Sequence, residues 1–453
     1  MYPVSPEFRE AIRRPHVAVS KAEVWREEER VLALDVLDGQ VEVDGRRSVR
    51  RTCSVRLVSQ RPELLTVYET PSYGQLAALF ANYSALAVAA PTYAAAAFVG
   101  GESQVLVDTG IVPDDAFDAL APFGNELRLW RGIMVNKFVH LNYAALVSYT
   151  YNSLATQWPT YGAVQQAGAN ADVEELVPLG VFEIEEVRIV DGKGGISIEV
   201  TGSDRSTLIS KNSWTDVYTI ASGTNAGTAV QTLLENRYDE VQSRFTATSW
   251  TTPQVVFGTD AGGDPWADAR NLAEATGNDL YFDGEGVAIF EPVPSYEETT
   301  PVATYIEDEE AMILDLTRSL SNANTFNGVI VTGEGTEAGG TIRADVWDDD
   351  TSSPTYYLGV FGKRPYFYSS PLILTQTQAV NAGYAFLADL SGATENVEWN
   401  QIVDPSLDPG DVISVQNTGT KVSRILVLDR VTIPLAANAT MSATARTVRS
   451  LQE

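Results

Sequence analysis

Two histidines, one cysteine and 60 carboxylates are the first candidates this chain offers for metal, nucleophilic or acid–base chemistry. His16 and His140 lie far apart, and neither has a His-x-x-x-His or cysteine partner, so no zinc ligand set forms. Cys53 stands alone and no Gly-x-Ser-x-Gly elbow occurs, which leaves a nucleophile without a base. No Gly-rich loop of the phosphate- or dinucleotide-binding type opens a helix. The densest acidic run, Asp348, Asp349 and Asp350, precedes Thr351, Ser352 and Ser353. A calcium loop needs alternating ligands about a central glycine, and this run has neither, so it reads as a solvated acidic loop. Glu183 and Glu185 could be paired as glycosidase carboxylates, but they alternate with Phe182 and Ile184, as on the wet face of a strand. Arg46, Arg47, Arg50 and Arg51 form the one basic cluster. It reads as a solvated turn and strand face, with a grip on an acidic neighbour or a second copy as the alternative. The expectation is a protein that is not an enzyme and uses no cofactor or metal.

Such residues need a scaffold, and composition bounds it. At 453 residues the chain has room for about three domains. It is 44% apolar and carries a formal charge of −29. That excess of acid excludes a phosphate-gripping surface and disfavours anionic lipid. It fits either a self-repelling soluble surface or a channel wall past which DNA slides without sticking. The opening MYPVSPEFREAIRRP lacks the apolar core of a signal peptide, and one cysteine makes no internal disulfide.

Read along the chain, Ser5 caps a short helix that starts at Pro6 and has Phe8 and Ile12 on one face. Alternating strand patterns follow at Val17 and Val19, at Val41 and Val43, and at Cys53, Val55 and Leu57. Asp38-Gly39 and Asp44-Gly45 read as turns between them. The pattern resumes in GNELRLWRG (Gly124 to Gly132), VFEIEEVRIV (Val181 to Val190) and ISIEVTG (Ile196 to Gly202). These segments make one antiparallel barrel or sandwich, interrupted twice. A mixed stretch comes next. Thr224 caps a helix with Val230, Leu233 and Leu234. Asp264 and Pro265 begin another with Trp266, Ala269 and Ala273 on one face, and Gly277 stops it. LYFDGEGVAIF (Leu280 to Phe290) is a hairpin turning at Asp283-Gly284, and PVPSYEETTP (Pro292 to Pro301) is a linker. Strands return in MILDLTRSL, NGVIVTG, DVISV and RILVLDRVTI. Between them Thr375 and Gln378 form a capping box for a helix with Val380, Tyr384 and Leu387 on one side.

The interruptions differ in character from the rest. Thr70 to Gly101 and Phe138 to Ala171 hold no Asp, Glu, Lys or Arg, where the overall charge fraction predicts about six in each. The first has a helix signature capped by Ser72 and Gln75, with Leu76, Leu79, Phe80 and Tyr83 on one face and Pro91 ending it. The second alternates like a half-buried strand, with Val139, Leu141, Tyr143, Ala145, Val147, Tyr149 and Tyr151 on one side. Phe80, Tyr83, Tyr143, Tyr149, Tyr151 and Trp158, with the four arginines, are therefore the interface candidates. A protein partner is expected, and a membrane-touching tip is the alternative.

Several segments together resemble the phage tail hub (baseplate hub) family, in the branch common among actinobacterial phages and prophages. They are GNELRLWRG, VPLGVFEIEEVRI (Val177 to Ile189), ISIEVTGSDRSTLI (Ile196 to Ile209), LYFDGEGVAIFEP (Leu280 to Pro292) and LDPGDVISV (Leu407 to Val415). The resemblance implies a mainly β protein with α/β elements: two tail-tube-like antiparallel β-barrel domains, a small α/β domain between them, and insertions. The expected bounds are 1–212, with a core at about 14–60, 107–136 and 173–212 and uncharged insertions at 70–101 and 138–171. They continue with 213–295 and then 296–453, the last holding a helix-containing insertion at about 347–393. The resemblance further implies a non-enzymatic homotrimer at the virion tail tip, made in the bacterial host cytoplasm. Its expected partners are the tail tube, distal tail protein, tape-measure protein and fibre proteins, around a channel that DNA traverses without specific binding. Some hub relatives carry appended hydrolases or fibre-like extensions, and no such domain precedes Glu453. The alternatives are a hub or distal ring of a contractile injection system, and an extracellular glycan-binding or hydrolytic protein.

Overall fold

Alternation of apolar and polar residues builds most of this molecule. In the computed structural model the described residues are 1–58, 64–68, 102–106, 119–140, 168–192, 195–258, 263–293, 300–306, 312–320, 325–334, 341–391, 395–417, 419–420 and 422–447. The short helix α1 (Pro6–Ala11) is capped as its sequence predicts, Ser5 Oγ accepting from Phe8 N–H at 3.1 Å. Phe8 and Ile12 are buried in the core of the sheet that follows.

That sheet begins with β1 (Ala18–Arg26), β2 (Glu29–Asp44) and β3 (Arg51–Val58). A detached antiparallel hairpin comes next, β4 (Leu64–Tyr68) with β5 (Glu102–Leu106). β6 (Glu126–His140), β7 (Gly168–Gly192) and β8 (Gly195–Asp204) complete the first half. The pairings run β1-β2-β3-β8-β7-β6 and return to β1, every one antiparallel, so six strands close on themselves. Closure leaves no ring strand with a fully open edge, and Val24, Val41, Val55, Leu127, Leu129 and Val200 fill the inside.

One expected turn is absent. Asp38-Gly39 lies inside β2, where the pairing with β3 skips Leu37 as a β-bulge. Gly39 holds φ +133, and a Cβ there would sit 2.4 Å from Ser54 O. The glycine therefore permits strand-on-strand approach, not reversal. Asp44-Gly45 does turn the chain, with Asp44 N–H donating to Arg50 O.

A small α/β unit follows: α2 (Ser206–Lys211), β9 (Tyr218–Ile220), α3 (Ala226–Arg237), β10 (Ser243–Phe245), β11 (Val255–Phe257), α4 (Pro265–Ala275), β12 (Asn278–Phe282) and β13 (Ala288–Pro292). Its strands form two small sheets, β10-β13-β12 and β11-β9, around Leu233, Trp266, Leu272, Phe282 and Phe290. The cap of α3 is Asn225, one residue past the expected Thr224. Its side chain accepts from Gly227 N–H and Thr228 N–H, whereas the Thr224 hydroxyl donates back to Ala221 O. Asp264 caps α4 as expected, and Gly277 follows its end at φ +72.

The second half supplies β14 (Ala303–Ile306) and β15 (Ile313–Leu320) before a second insertion. In it β16 (Gly328–Glu334), β17 (Thr341–Trp347) and β18 (Pro365–Ser370) make their own sheet, β17-β16-β18, backed by α5 (Gln376–Ser391). The run NGVIVTG thus belongs with α5 and not with the large sheet. Thr375 and Gln378 do form the capping box. Of the expected helix face, Leu387 is buried and Val380 half-buried, but Tyr384 points outward, and Ala379 and Ala382 take the inner positions. β19 (Glu395–Gln401), β20 (Val412–Asn417), β21 (Val422–Pro434) and β22 (Met441–Thr447) then rejoin the large sheet.

The two halves share one connectivity. Numbering each half's six strands in chain order, the first half runs 1-2-3-6-5-4 around its ring. The second half reads 2-3-6-5-4-1, as β15-β19-β22-β21-β20-β14, which is the same cycle without the 1–2 contact. The difference lies at β14, which pairs parallel with β20 and, among the described residues, not with β15. Bulges repeat as well. The second strand bulges against the third at Leu37 and Leu314, and the fifth against the sixth at Glu185 and Asp429. The halves join where β2 has run past β1 and β21 past β20: Gln40–Asp44 pairs antiparallel with Arg430–Pro434. This makes a single twelve-stranded sheet with one core.

Candidate functional site

The turn after β2 carries the four clustered arginines, and the fold treats them as two pairs. Arg46 and Arg47 are exposed and salt-bridged at the surface, Arg46 to Asp429 at 3.2 Å and Arg47 to Glu42 and Asp44. Arg50 and Arg51 are buried, contrary to the expected solvated face. Arg51 is only 4% exposed and touches both halves of the large sheet and the small unit. Its Nη1 donates to Leu179 O of β7 at 2.9 Å and its Nε to Phe282 O of the small unit at 3.3 Å. Nη2 meets both carboxylate oxygens of Asp408, in the second half, at 2.6 Å. Arg50 lies 3.7 Å over the Tyr281 ring and donates to Asp279 at 2.9 Å, a second bond to the small unit. A planar guanidinium with five donors suits such a junction better than an ammonium.

Further charged groups complete it. Asp204 is buried and accepts from Arg51 N–H at 2.8 Å and from Ser206 N–H at 3.0 Å. Burial pushes its carboxyl above the ordinary range, against the pull of those hydrogen bonds. Arg205, 2% exposed, spans the ring and the small unit. It holds both Glu126 oxygens at 2.7 Å, Glu28 at 3.1 Å and Gly286 O at 3.0 Å. Burial opposes its charge, yet Glu126, Tyr238 and Glu28 hold its pKa above the ordinary guanidinium value. Arg131 ties β6 to the chain after β21 through Leu435 O at 2.7 Å and Ala436 O at 3.2 Å.

Glycines let the bodies approach closely. A Cβ on Gly284 would fall 2.4 Å from Pro178 O, and one on Gly286, at φ +76, would fall 2.7 Å from Val181. The hairpin turn of the small unit therefore lies directly on β7. Trp266 adds an indole N–H to Ser48 O at 2.9 Å.

The remaining sequence candidates fall elsewhere. Asp348 is buried, not solvated, and accepts from the hydroxyls of Ser353 and Thr355 at 2.6 Å each, so it organises its own loop. Glu183 and Glu185 face Lys211 on the outside of β7. His16 contacts Arg14 O, and Cys53 is buried with its thiol pKa raised by desolvation. Among the described residues no group of three or more His, Cys, Asp or Glu is placed to hold a metal ion. Nor is any described helix long and apolar enough to cross a membrane. Phe80, Tyr83, Tyr143, Tyr149, Tyr151 and Trp158 lie outside the described residues. Arg205 and Arg131 carried no sequence signal beyond being isolated basic residues in an acidic chain. The geometry of these groups fixes the two halves and the small unit against one another.

No protein-family model and no curated protein sequence matches this chain. Its fold does match solved structures. The tail protein from Neisseria meningitidis MC58 aligns with a TM-score of 0.54 at 10% identity, over 95% of this chain and 97% of that one. The 43 kDa tail protein of prophage MuSo2 from Shewanella oneidensis gives 0.52 at 10% identity, over 95% and 98%. At such identities the likeness is one of fold, and it extends across both halves and the units between them.

Proposed function

We propose that this chain is a structural hub subunit at the tip of a phage or phage-like tail, joining the tail tube to the tip and acting by shape, not catalysis. One observation carries the reading: two strand arrangements of like connectivity are fused into a single sheet, within a fold shared along almost the whole chain with tail proteins. A subunit with two like modules can adapt a sixfold tube to a threefold tip, because three copies present six modules. The proposed trimer encloses a channel for DNA and the tape-measure protein. The distal tail protein, the tube and fibre proteins are its neighbours, and the uncharged stretches 70–101 and 138–171 face partners. Its place is the virion tail tip after synthesis in the host cytoplasm.

Reconstruction of the intact particle tests this. Three copies around the tail axis at the tip are expected. Six equivalent copies, a single copy, or absence from the tip would overturn it.

A further inference from the structure

The longest described stretch outside any helix or strand is 348–364, which joins β17 to β18 in the second insertion. It is braced throughout. Asn327, wholly buried at its mouth, donates side-chain N–H groups to Thr355 O at 2.8 Å and Gly362 O at 2.7 Å. The same side chain accepts from Arg364 N–H at 2.7 Å, so it ties the middle of the loop to its end. Asp348 binds the Ser353 and Thr355 hydroxyls, and Tyr357 stacks on Trp347. The tip is two linked turns, with Gly359 N–H donating to Tyr356 O and Gly362 N–H to Gly359 O.

Held this way, the loop keeps its apolar tip outside. Leu358 is 62% exposed, and Val360, at 109%, stands as open as in an isolated peptide. Phe367, 71% exposed, extends the apolar surface along β18, on the face away from α5, since its neighbours Tyr366 and Tyr368 pack with that helix. Beside the tip lies Lys363, its ammonium 5.1 Å from the Trp347 ring and 5.4 Å from the Tyr357 ring. Among the described residues it has no carboxylate at ion-pair distance. Asp345, which feels its charge, is held by Arg343 at 2.7 Å. With 60 acids to 31 bases in the chain, a cation resting on rings beside an apolar tip is out of keeping with the rest. Rigid loops that hold apolar groups in water mark contact sites.

Building on the reading of this chain as one part of a tail tip, we infer that the 348–364 loop is a docking knob for a different protein. Leu358 and Val360 enter an apolar hollow on that partner, and Lys363 meets a carboxylate on its rim. A bilayer fits less well. Two aliphatic side chains offer a membrane far less than one myristoyl chain, which alone binds only marginally, and a charge of −29 repels anionic lipid. A second copy also fits less well, because exposed apolar residues such as Phe123 and Leu320, at 84% and 72%, protrude just as the tip does. Bracing favours the docked state, since a loop already fixed loses little conformational freedom on seating.

Photo-crosslinking in assembled particles tests it. The full chain carrying Val360→benzoylphenylalanine is expected to cross-link to one other protein, at a peptide that combines apolar residues with an Asp or Glu. Leu358→Ser with Val360→Ser should leave the unfolding midpoint unchanged, because both side chains already face water. In competition with wild type, that double variant should enter particles about tenfold less often. Lys363→Glu should lose a similar factor, and Lys363→Arg should lose none. Cross-links to a second copy, or none from a chain that is present at the tip, would overturn the docking and leave the tail-tip reading intact. So would flotation of the wild-type chain with phosphatidylglycerol vesicles that the double variant loses. The expected cross-link in a complex outside any tail would support the docking and sink the tail-tip reading instead.

Discussion

Arg51 shows how one side chain can set the relation of three bodies. Its partners Leu179, Phe282 and Asp408 lie 128, 231 and 357 residues away in sequence. A buried ion pair is weak evidence for stability as such, since desolvation offsets much of the attraction. Its use here is geometric, because the planar fork fixes directions that apolar packing leaves free. Arg51→Met roughly keeps the volume, removes every side-chain donor, and leaves the Asp408 carboxylate and the Leu179 and Phe282 carbonyls without them. The expected loss is about 3 kcal/mol in denaturant or thermal unfolding. Arg51→Lys should fall between, since one ammonium cannot point three ways. Equal stability for all three proteins would show that the junction is incidental. The sequence displayed this cluster but not its division, because nothing local distinguishes Arg46 and Arg47 from Arg50 and Arg51. The distinction comes from acids and carbonyls that only folding brings near.

At the scale of elements, close backbone approach sets the position of the small unit. Gly286 needs a positive φ and has Val181 where a Cβ would go, while Gly223, also at positive φ, has nothing within 4 Å. Gly286→Ala should therefore cost more than Gly223→Ala, the difference being the contact with β7 and not the backbone strain both share. Limited proteolysis and hydrogen exchange across Leu280–Phe290 would register the loosened hairpin, and equal effects of the two substitutions would refute the account. Local signals were legible where a local interaction decides them. Ser5, Asp264 and the Thr375–Gln378 box cap their helices by bonds three residues long. Alternation marked β2, β3, β6, β7 and β8 in the first half and β15, β20 and β21 in the second, whereas β14, β19 and β22 went unmarked. Asp38-Gly39 misled because a bulge and a turn make the same demand on a glycine, and only the partner strand tells them apart. The β2–β21 joint was invisible for the same reason at longer range: no periodicity records which edge meets which.

For the molecule as a whole, the formal charge of −29 sets long-range behaviour whatever the local pairing. Buried guanidinium groups such as Arg51 and Arg205 are spent on internal acids, which leaves the surface still poorer in cations than the composition suggests. Phosphate contacts need exposed Lys and Arg, so the purified chain should not retain duplex DNA in a filter-binding assay at moderate salt. Retention that weakens as salt rises would contradict this, because counterion release is the signature of cationic contacts.

The joint between the halves also imposes an order on synthesis. β2 leaves the ribosome early, with Val41 and Val43 waiting for a partner that is made near the other end of the chain. At ~5–20 residues per second that interval is tens of seconds. During it the ring can close on β1 and β3, but the edge at Gln40–Asp44 stays open. In a crowded polysome the β21 of a neighbouring chain is chemically the same strand as the one awaited. A nascent chain thus faces a choice between its own late segment and a sibling's, and a sibling's leaves two chains exchanged at that strand. The long separation that welds the finished subunit makes its manufacture sensitive to how fast, and how densely, the chain is translated.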